Sequence, residues 1–192
     1  VSLITKNVLI LRDLDILSEM AKLNLVHVMV TITSLNEYLR QKLEPRTVTY
    51  KNRLKALKHL ANAGIPVGIM NAPIIPGLNS HEIPDVVKSA AENGASVAGY
   101  TIVRLNGAIA DVFKDWLHKH FPDRAEKIWN HIKSAHGGQV NDSRFGTRIK
   151  GEGKMAESIL NLFKMAVKKY ISGNVPFNFD TEAFGKQRRD IF

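Results

Sequence analysis

Four apolar segments rich in Val, Ile and Thr recur along this chain of 192 residues, at 2–6, 25–33, 65–72 and 97–104, and each leads into a helical pattern. Strands that alternate with helices join their neighbours in a sheet by crossing over its face. The alternation therefore predicts an α/β fold of parallel strands with right-handed connections. The length suits one domain with a sizeable core.

The helices between the strands carry start and stop signals. A first helix is expected over 8–22. Thr49 is placed to cap another that runs to about Asn62, with Leu54, Leu57, Leu60 and Ala61 on one stripe and Gly64 just past its end. Asn79 followed by Glu82 reads as a capping box, with Pro84 in the first turn and Gly94 closing the helix. Beyond Arg104 the strand pattern stops. Extra C-terminal helices are expected at 109–120, 124–135 and 155–171, the last with Ile159, Leu160, Phe163, Val167 and Ile171 as its stripe. A polar, glycine-rich loop at 139–154 precedes it. Residues 1–171 thus form the body, and 172–192 form an extended tail with Phe177, Phe179, Phe184 and Phe192 as anchors.

The chain has no cysteine. Disulfides, zinc–thiolate sites, iron–sulfur ligation and cysteine nucleophiles by this polypeptide are excluded. No apolar run approaches roughly 18 residues, so no membrane partner is expected, and the expected compartment is the cytoplasm. The net charge of +9 is uneven: residues 144–192 carry 10 basic and 5 acidic side chains, against 17 and 13 in residues 1–143. Such an end can dock phosphates or serve as a solubilising surface. His118 and His120, two apart on a helix, and His131 and His136, five apart, read as single surface histidines rather than a metal site. Trp116 and Trp129 read as core. No catalytic residue and no metal ligand is assigned.

Ligands of parallel α/β folds meet the C-terminal ends of the strands. In the second strand Val26, Val28, Val30 and Ile32 share one face, and His27, Met29, Thr31 and Thr33 share the other. Thr31 and Thr33 then lie on the inner face at the rim, although Thr is also simply a good strand former. Lys6 ends the first strand. A lysine there needs a partner, either a ligand carboxylate or a neighbouring Asp or Glu. The run from Ala72 to Asn79 contains two prolines and a glycine, and such a stiff loop can present carbonyl oxygens to a flat ring.

At these residues the sequence resembles the later part of radical S-adenosylmethionine (radical SAM) proteins related to spore photoproduct lyase, often described as putative DNA repair photolyases. The resemblance rests on Ile4-Thr5-Lys6-Asn7, Leu43-Glu44-Pro45-Arg46, Ala63-Gly64-Ile65-Pro66-Val67-Gly68, Ala72 to Asn79, and Asn141-Asp142-Ser143-Arg144-Phe145-Gly146. It implies part of a partial TIM-like barrel, (β/α)6 in the family. There three cysteines after the first strand hold a [4Fe–4S] cluster, and S-adenosylmethionine is cleaved to a radical. By the resemblance Lys6 lies near the methionyl carboxylate, Thr31 or Thr33 meets the ribose or carboxylate, and the backbone of Ala72, Pro73 and Ile74 contacts adenine. The three-cysteine loop is absent here. With no initiator Met, the chain is expected to be a fragment whose first two strands lie upstream, inactive alone, and able to dimerise through an exposed first strand.

Arg46, Arg104, Arg144 and Arg148 are the candidate contacts for an anionic substrate, with Lys150 and Lys154 beside them. Glu44 and Arg46 also fit a plain surface ion pair. Gly151 and Gly153 precede the long helix, whose N-terminus favours anions, but Gly-Glu-Gly-Lys lacks the spacing of a P-loop. Two functions follow as expectations. One is a piece of a radical SAM enzyme acting on nucleic acid; the other is a non-catalytic basic module that binds a polyanion.

Overall fold

Strands β1 (Ser2–Thr5), β2 (His27–Thr31), β3 (Val67–Ile74) and β4 (Val97–Ile102) form one sheet in the order β1-β2-β3-β4. Every pairing is parallel: Ser2 faces His27, Val28 faces Val67, and Gly68 faces Val97. This is the computed structural model of the chain, and it describes residues 1–171 and 177–182. The crossovers are α1 (Leu14–Lys22), α2 (Glu37–Leu43) with α3 (Tyr50–Asn62), and α4 (Ile83–Glu92). After the sheet come α5 (Ile109–His120), α6 (Ala125–Ser134) and α7 (Lys154–Tyr170). Among the described residues, no helix is long and apolar enough to cross a membrane.

The two-residue period of β2 sorts its side chains as the sequence predicts. Val26, Val28, Val30 and Ile32 are buried with Leu57 and Leu60 of α3 and Val86 and Ala90 of α4. A second core lies where Ile75, Leu78, Val103 and Leu105 meet α5 and α6, and takes in Trp129. Trp116 is half-buried, stacks on Phe113 at 5.3 Å, and donates its indole N–H to the Lys42 carbonyl. A third core joins Ile74 and Ile102 to α4 and α7.

The opposite, inner face carries Met29, Met70 and the half-buried His27. It bounds a cavity of about 480 Å³ closed on one side by Phe177 and Phe179. These two tail residues pack on the His27 ring at 5.9 and 6.4 Å, so they are anchors as read; Phe184 and Phe192 lie outside the described residues. Burial of His27 pushes its pKa below the ordinary value.

Several local readings need correction. The helix read over 8–22 is a 3-10 segment, Val8–Asp13, followed by α1. The helix α2 was missed, although Asn36 caps it by accepting from the Leu39 amide at 3.1 Å. Asn79 and Glu82 do not form a capping box. The Asn79 side chain binds the Ile75 amide (2.7 Å) and the Thr33 and Pro73 carbonyls (2.8 and 3.1 Å). Glu82 accepts from Ser34 and the Leu35 amide. Both residues thus tie the exit of β2 to that of β3, which local pattern does not reveal.

Candidate cofactor and ligand rim

Four parallel strands put their C-terminal ends on one edge, and that edge gathers Lys6, Thr31, Thr33 and Ala72. They are joined by Glu44, in the loop between α2 and α3. One Glu44 oxygen, Oε1, accepts from Lys6 Nζ and from the Thr33 hydroxyl at 2.8 Å. The other, Oε2, accepts from Arg53 Nη2 at 2.8 Å and lies 3.4 Å from the Thr47 hydroxyl. The Thr33 hydroxyl also reaches the Ala72 carbonyl at 2.8 Å. The Glu44 side chain is 9% exposed.

Arg53 comes from α3 and is 2% exposed. Its other donors go to the Thr31 carbonyl (3.0 Å), the Val48 carbonyl (3.1 Å) and the Thr47 hydroxyl (2.6 Å). A fully buried guanidinium with every branch engaged fixes the loop to the strand end. Lys6 differs: its side chain is 37% exposed, and Glu44 is its one partner among the described residues. Two cations share one carboxylate, so one positive charge is left over. It is presented where the lysine reaches solvent.

Glu44 itself is pulled in two directions. Burial raises its pKa, but hydrogen bonds from Lys6, Arg53 and Thr33 favour the carboxylate and leave the net value below the ordinary 4.5. The folded value therefore lies below the unfolded one. The stability this group contributes is fully present above pH 4.5 and is lost as pH falls through the folded value. Urea midpoints between about pH 3 and pH 7 are expected to fall on the acid side, and to fall less in Glu44→Gln, which cannot titrate. Equal acid slopes for the two proteins would contradict this.

The remaining adenine-contact candidates are already in use. The Pro73 carbonyl accepts from Asn79, and the Ile74 carbonyl accepts from the Val103 amide at 2.8 Å. The Ile74 side chain is fully buried, because β3 runs on through Ile74 rather than ending at 72. Glu44 and Arg46 are not a pair; Arg46 is exposed, while Glu44 turns inward to Lys6 and Arg53. Arg104 is exposed beyond β4.

In the glycine-rich loop Arg144 holds Asp142 through two contacts of 3.0 Å and also pairs with Glu152. Asp142 is 5% exposed, and the Arg144 hydrogen bonds keep its pKa well below the usual carboxylate range. Arg144 is therefore a brace between the loop and the start of α7. Arg148 lies over the Phe145 ring at 5.6 Å, and Phe145 is 91% exposed. His118 is a surface residue, 3.1 Å from Glu126. His136 is not: it is 2% exposed and its Nε2 contacts the Val103 carbonyl at 2.7 Å. The surface reading fails there because the loop folds back over the end of α6.

The sequence named Glu44 without a role and passed over Arg53. The signal was present in the spacing 53, 57, 60, which extends the apolar stripe of α3 backward by one turn onto an arginine.

Residues 1–90 match the family model of the radical SAM superfamily. The uncharacterized protein MJ0683 of Methanocaldococcus jannaschii is 30% identical over 129 residues, which are 67% of this chain and 47% of that protein. The uncharacterized protein Rv2578c of Mycobacterium tuberculosis is 28% identical over 127 residues, 64% of this chain and 36% of that protein. Among solved structures, a spore photoproduct lyase variant with bound AdoMet and dinucleoside spore photoproduct superposes with a TM-score of 0.59 at 17% identity. That match covers 90% of this chain and 48% of the lyase chain. The chain thus spans about half the length of the relatives it best covers. Residues 1–90 thus match the radical SAM superfamily model, and over most of its length the chain has the α/β fold of spore photoproduct lyase.

Proposed function

We propose that this chain is the ligand-carboxylate side of a radical SAM enzyme that acts on nucleic acid. In this reading Lys6 receives the methionyl carboxylate of S-adenosylmethionine, with Thr31 and Thr33 beside it. The carrying observation is Lys6 itself: a rim lysine that shares its one carboxylate partner among the described residues with a buried arginine and keeps N–H donors toward solvent. The residues present fit a carboxylate-bearing ligand. They do not fit the family's [4Fe–4S] cluster, because the chain has no cysteine. Thiolates for such a cluster would come from residues outside this sequence. The unpaired side of β1, where Ile4 is 61% exposed, is the edge such a segment or a second copy of the chain would extend.

Two ligands test the lysine. S-adenosylhomocysteine carries the carboxylate, and methylthioadenosine lacks the whole amino-acid end. A charge-assisted hydrogen bond contributes about 1.5–3 kcal/mol. Calorimetric titration is expected to show S-adenosylhomocysteine binding on the order of tenfold tighter or more. Lys6→Met is expected to erase that preference. Equal affinities in the unaltered chain would overturn the reading. In a protein that supplies the cluster cysteines, anaerobic reduction is expected to release 5′-deoxyadenosine, and none released would remove the enzyme assignment.

The second reading is a basic module that holds a polyanion without chemistry. Exposed Phe145 with Arg148 over its ring favours it, since a ring and a cation together suit a base and a phosphate. Affinity for single-stranded DNA is expected to fall steeply with salt, and Arg148→Ala to reduce the slope of log K against log salt by about one unit. A salt-independent isotherm would exclude this surface.

A further inference from the structure

Three donors from three separate segments converge on the Glu44 carboxylate: Lys6 after β1, Thr33 after β2, and Arg53 on α3, while the Thr47 hydroxyl donates at 2.8 Å to the Glu44 backbone carbonyl. The carboxylate has little exposure left with which to meet a ligand. Its two oxygens are divided by function. Oε2 is bound from the protein side by Arg53, which is sealed in place, and Oε1 faces the two rim residues that the proposed ligand would meet.

We infer that Glu44 is the positioning residue of the rim: anchored by Arg53, it holds the Lys6 ammonium and the Thr33 hydroxyl at one fixed point, so that the free N–H donors of Lys6 are aimed at the ligand carboxylate. This rests on the proposed ligand reading and extends it to a residue that does not touch the ligand. A lysine on a flexible four-carbon stem has no intrinsic direction. One bond to a buried oxygen supplies a direction and leaves the other two donors for the ligand. The same oxygen and the Ala72 carbonyl, both at 2.8 Å, are the two acceptors within reach of the one Thr33 hydroxyl proton.

Glu44→Gln isolates this role. The amide is the same size, but one of its two positions must now be an N–H₂ group. If nitrogen faces Arg53, two donors oppose each other; if it faces Lys6, the lysine loses its acceptor. Either way the shared anchor is gone. The experiment is the calorimetric comparison of S-adenosylhomocysteine with methylthioadenosine, on the unaltered chain, Lys6→Met and Glu44→Gln, with thermal melts of each.

Glu44→Gln is expected to bind methylthioadenosine as the unaltered chain does, and to lose the carboxylate preference to within about twofold. General damage to the fold would weaken both ligands alike, and that outcome would overturn the inference. So would a full preference retained in Glu44→Gln while Lys6→Met loses it; the lysine reading would then survive alone. If the unaltered chain shows no preference, the ligand reading itself fails. Glu44→Asp keeps the charge but retracts it by one methylene, so it cannot reach Arg53 and Lys6 together. Its preference is expected to be intermediate. Should the glutamine variant not fold, an undiminished preference in Glu44→Asp would overturn the inference.

Discussion

Replacing Arg53 with methionine is expected to lower folding stability by about 3–5 kcal/mol, the cost of breaking a buried ion pair by removing one partner. Methionine fills much of the same space along the stem of the side chain. What is lost is the set of donors to Glu44, Thr47 and the Thr31 and Val48 carbonyls. Glu44 would keep Lys6, but the Thr31 carbonyl would be left in the interior without its side-chain partner. Urea denaturation measures the effect. A loss below about 1 kcal/mol would mean that water replaces the guanidinium, and that the network is less closed than its exposures indicate. The double variant Arg53→Met with Glu44→Gln is expected to cost less than the sum of its single variants, because the second change removes a charge that the first left half-paired.

Gly68→Ala is the second large effect, at about 3 kcal/mol, the upper end of overpacking costs. A Cβ at Gly68 falls on the Val97 side chain, 2.5 Å from Met29 Sδ and 2.8 Å from the Val97 carbonyl. A thioether can swing aside, but the carbonyl belongs to the neighbouring strand of the sheet and cannot. Gly99→Ala is the control. It lies on the same face, and the atoms nearest its Cβ are those of Met70, at 3.1 and 3.4 Å, and Met29 at 3.8 Å, all of them ends of flexible side chains. Thermal melts are expected to rank Gly68→Ala well below Gly99→Ala. The opposite order would show that the methionines, rather than the strand spacing, limit this face.

The parallel sheet was legible because each strand-forming run is separated from the next by a helix with its own cap and stripe, and because β2 alternates cleanly. Thr49 and Gly64 bound α3 as expected, with Thr49 accepting from the Asn52 amide and Gly64 at φ +76°. What was lost is what depends on partners distant in sequence. Asn79 and Glu82 carry a local signature of a helix start, yet their side chains serve the exit of β2, 46 to 48 residues away. Lys6 was read as needing a carboxylate, and the two options were a ligand or a neighbour. The neighbour, Glu44, is 38 residues on and is itself claimed by Arg53. Helical wheels place an arginine on a stripe but do not say that the stripe faces a carboxylate.

The sheet contains no hairpin. To form its first ladder bonds Ser2 must find His27, Val28 must find Val67, and Gly68 must find Val97, each across an entire crossover. No pairing in the sheet is therefore local, and the entropy of closing each loop is spent before any strand contact repays it. The central ladder, between β2 and β3, closes the longest loop, yet it supplies Val28, Val30, Val67 and Ile69 to the first core. Refolding is expected to wait on that closure, so the slow step of this chain would be the meeting of β2 with β3 beneath α3, with the outer strands joining afterwards.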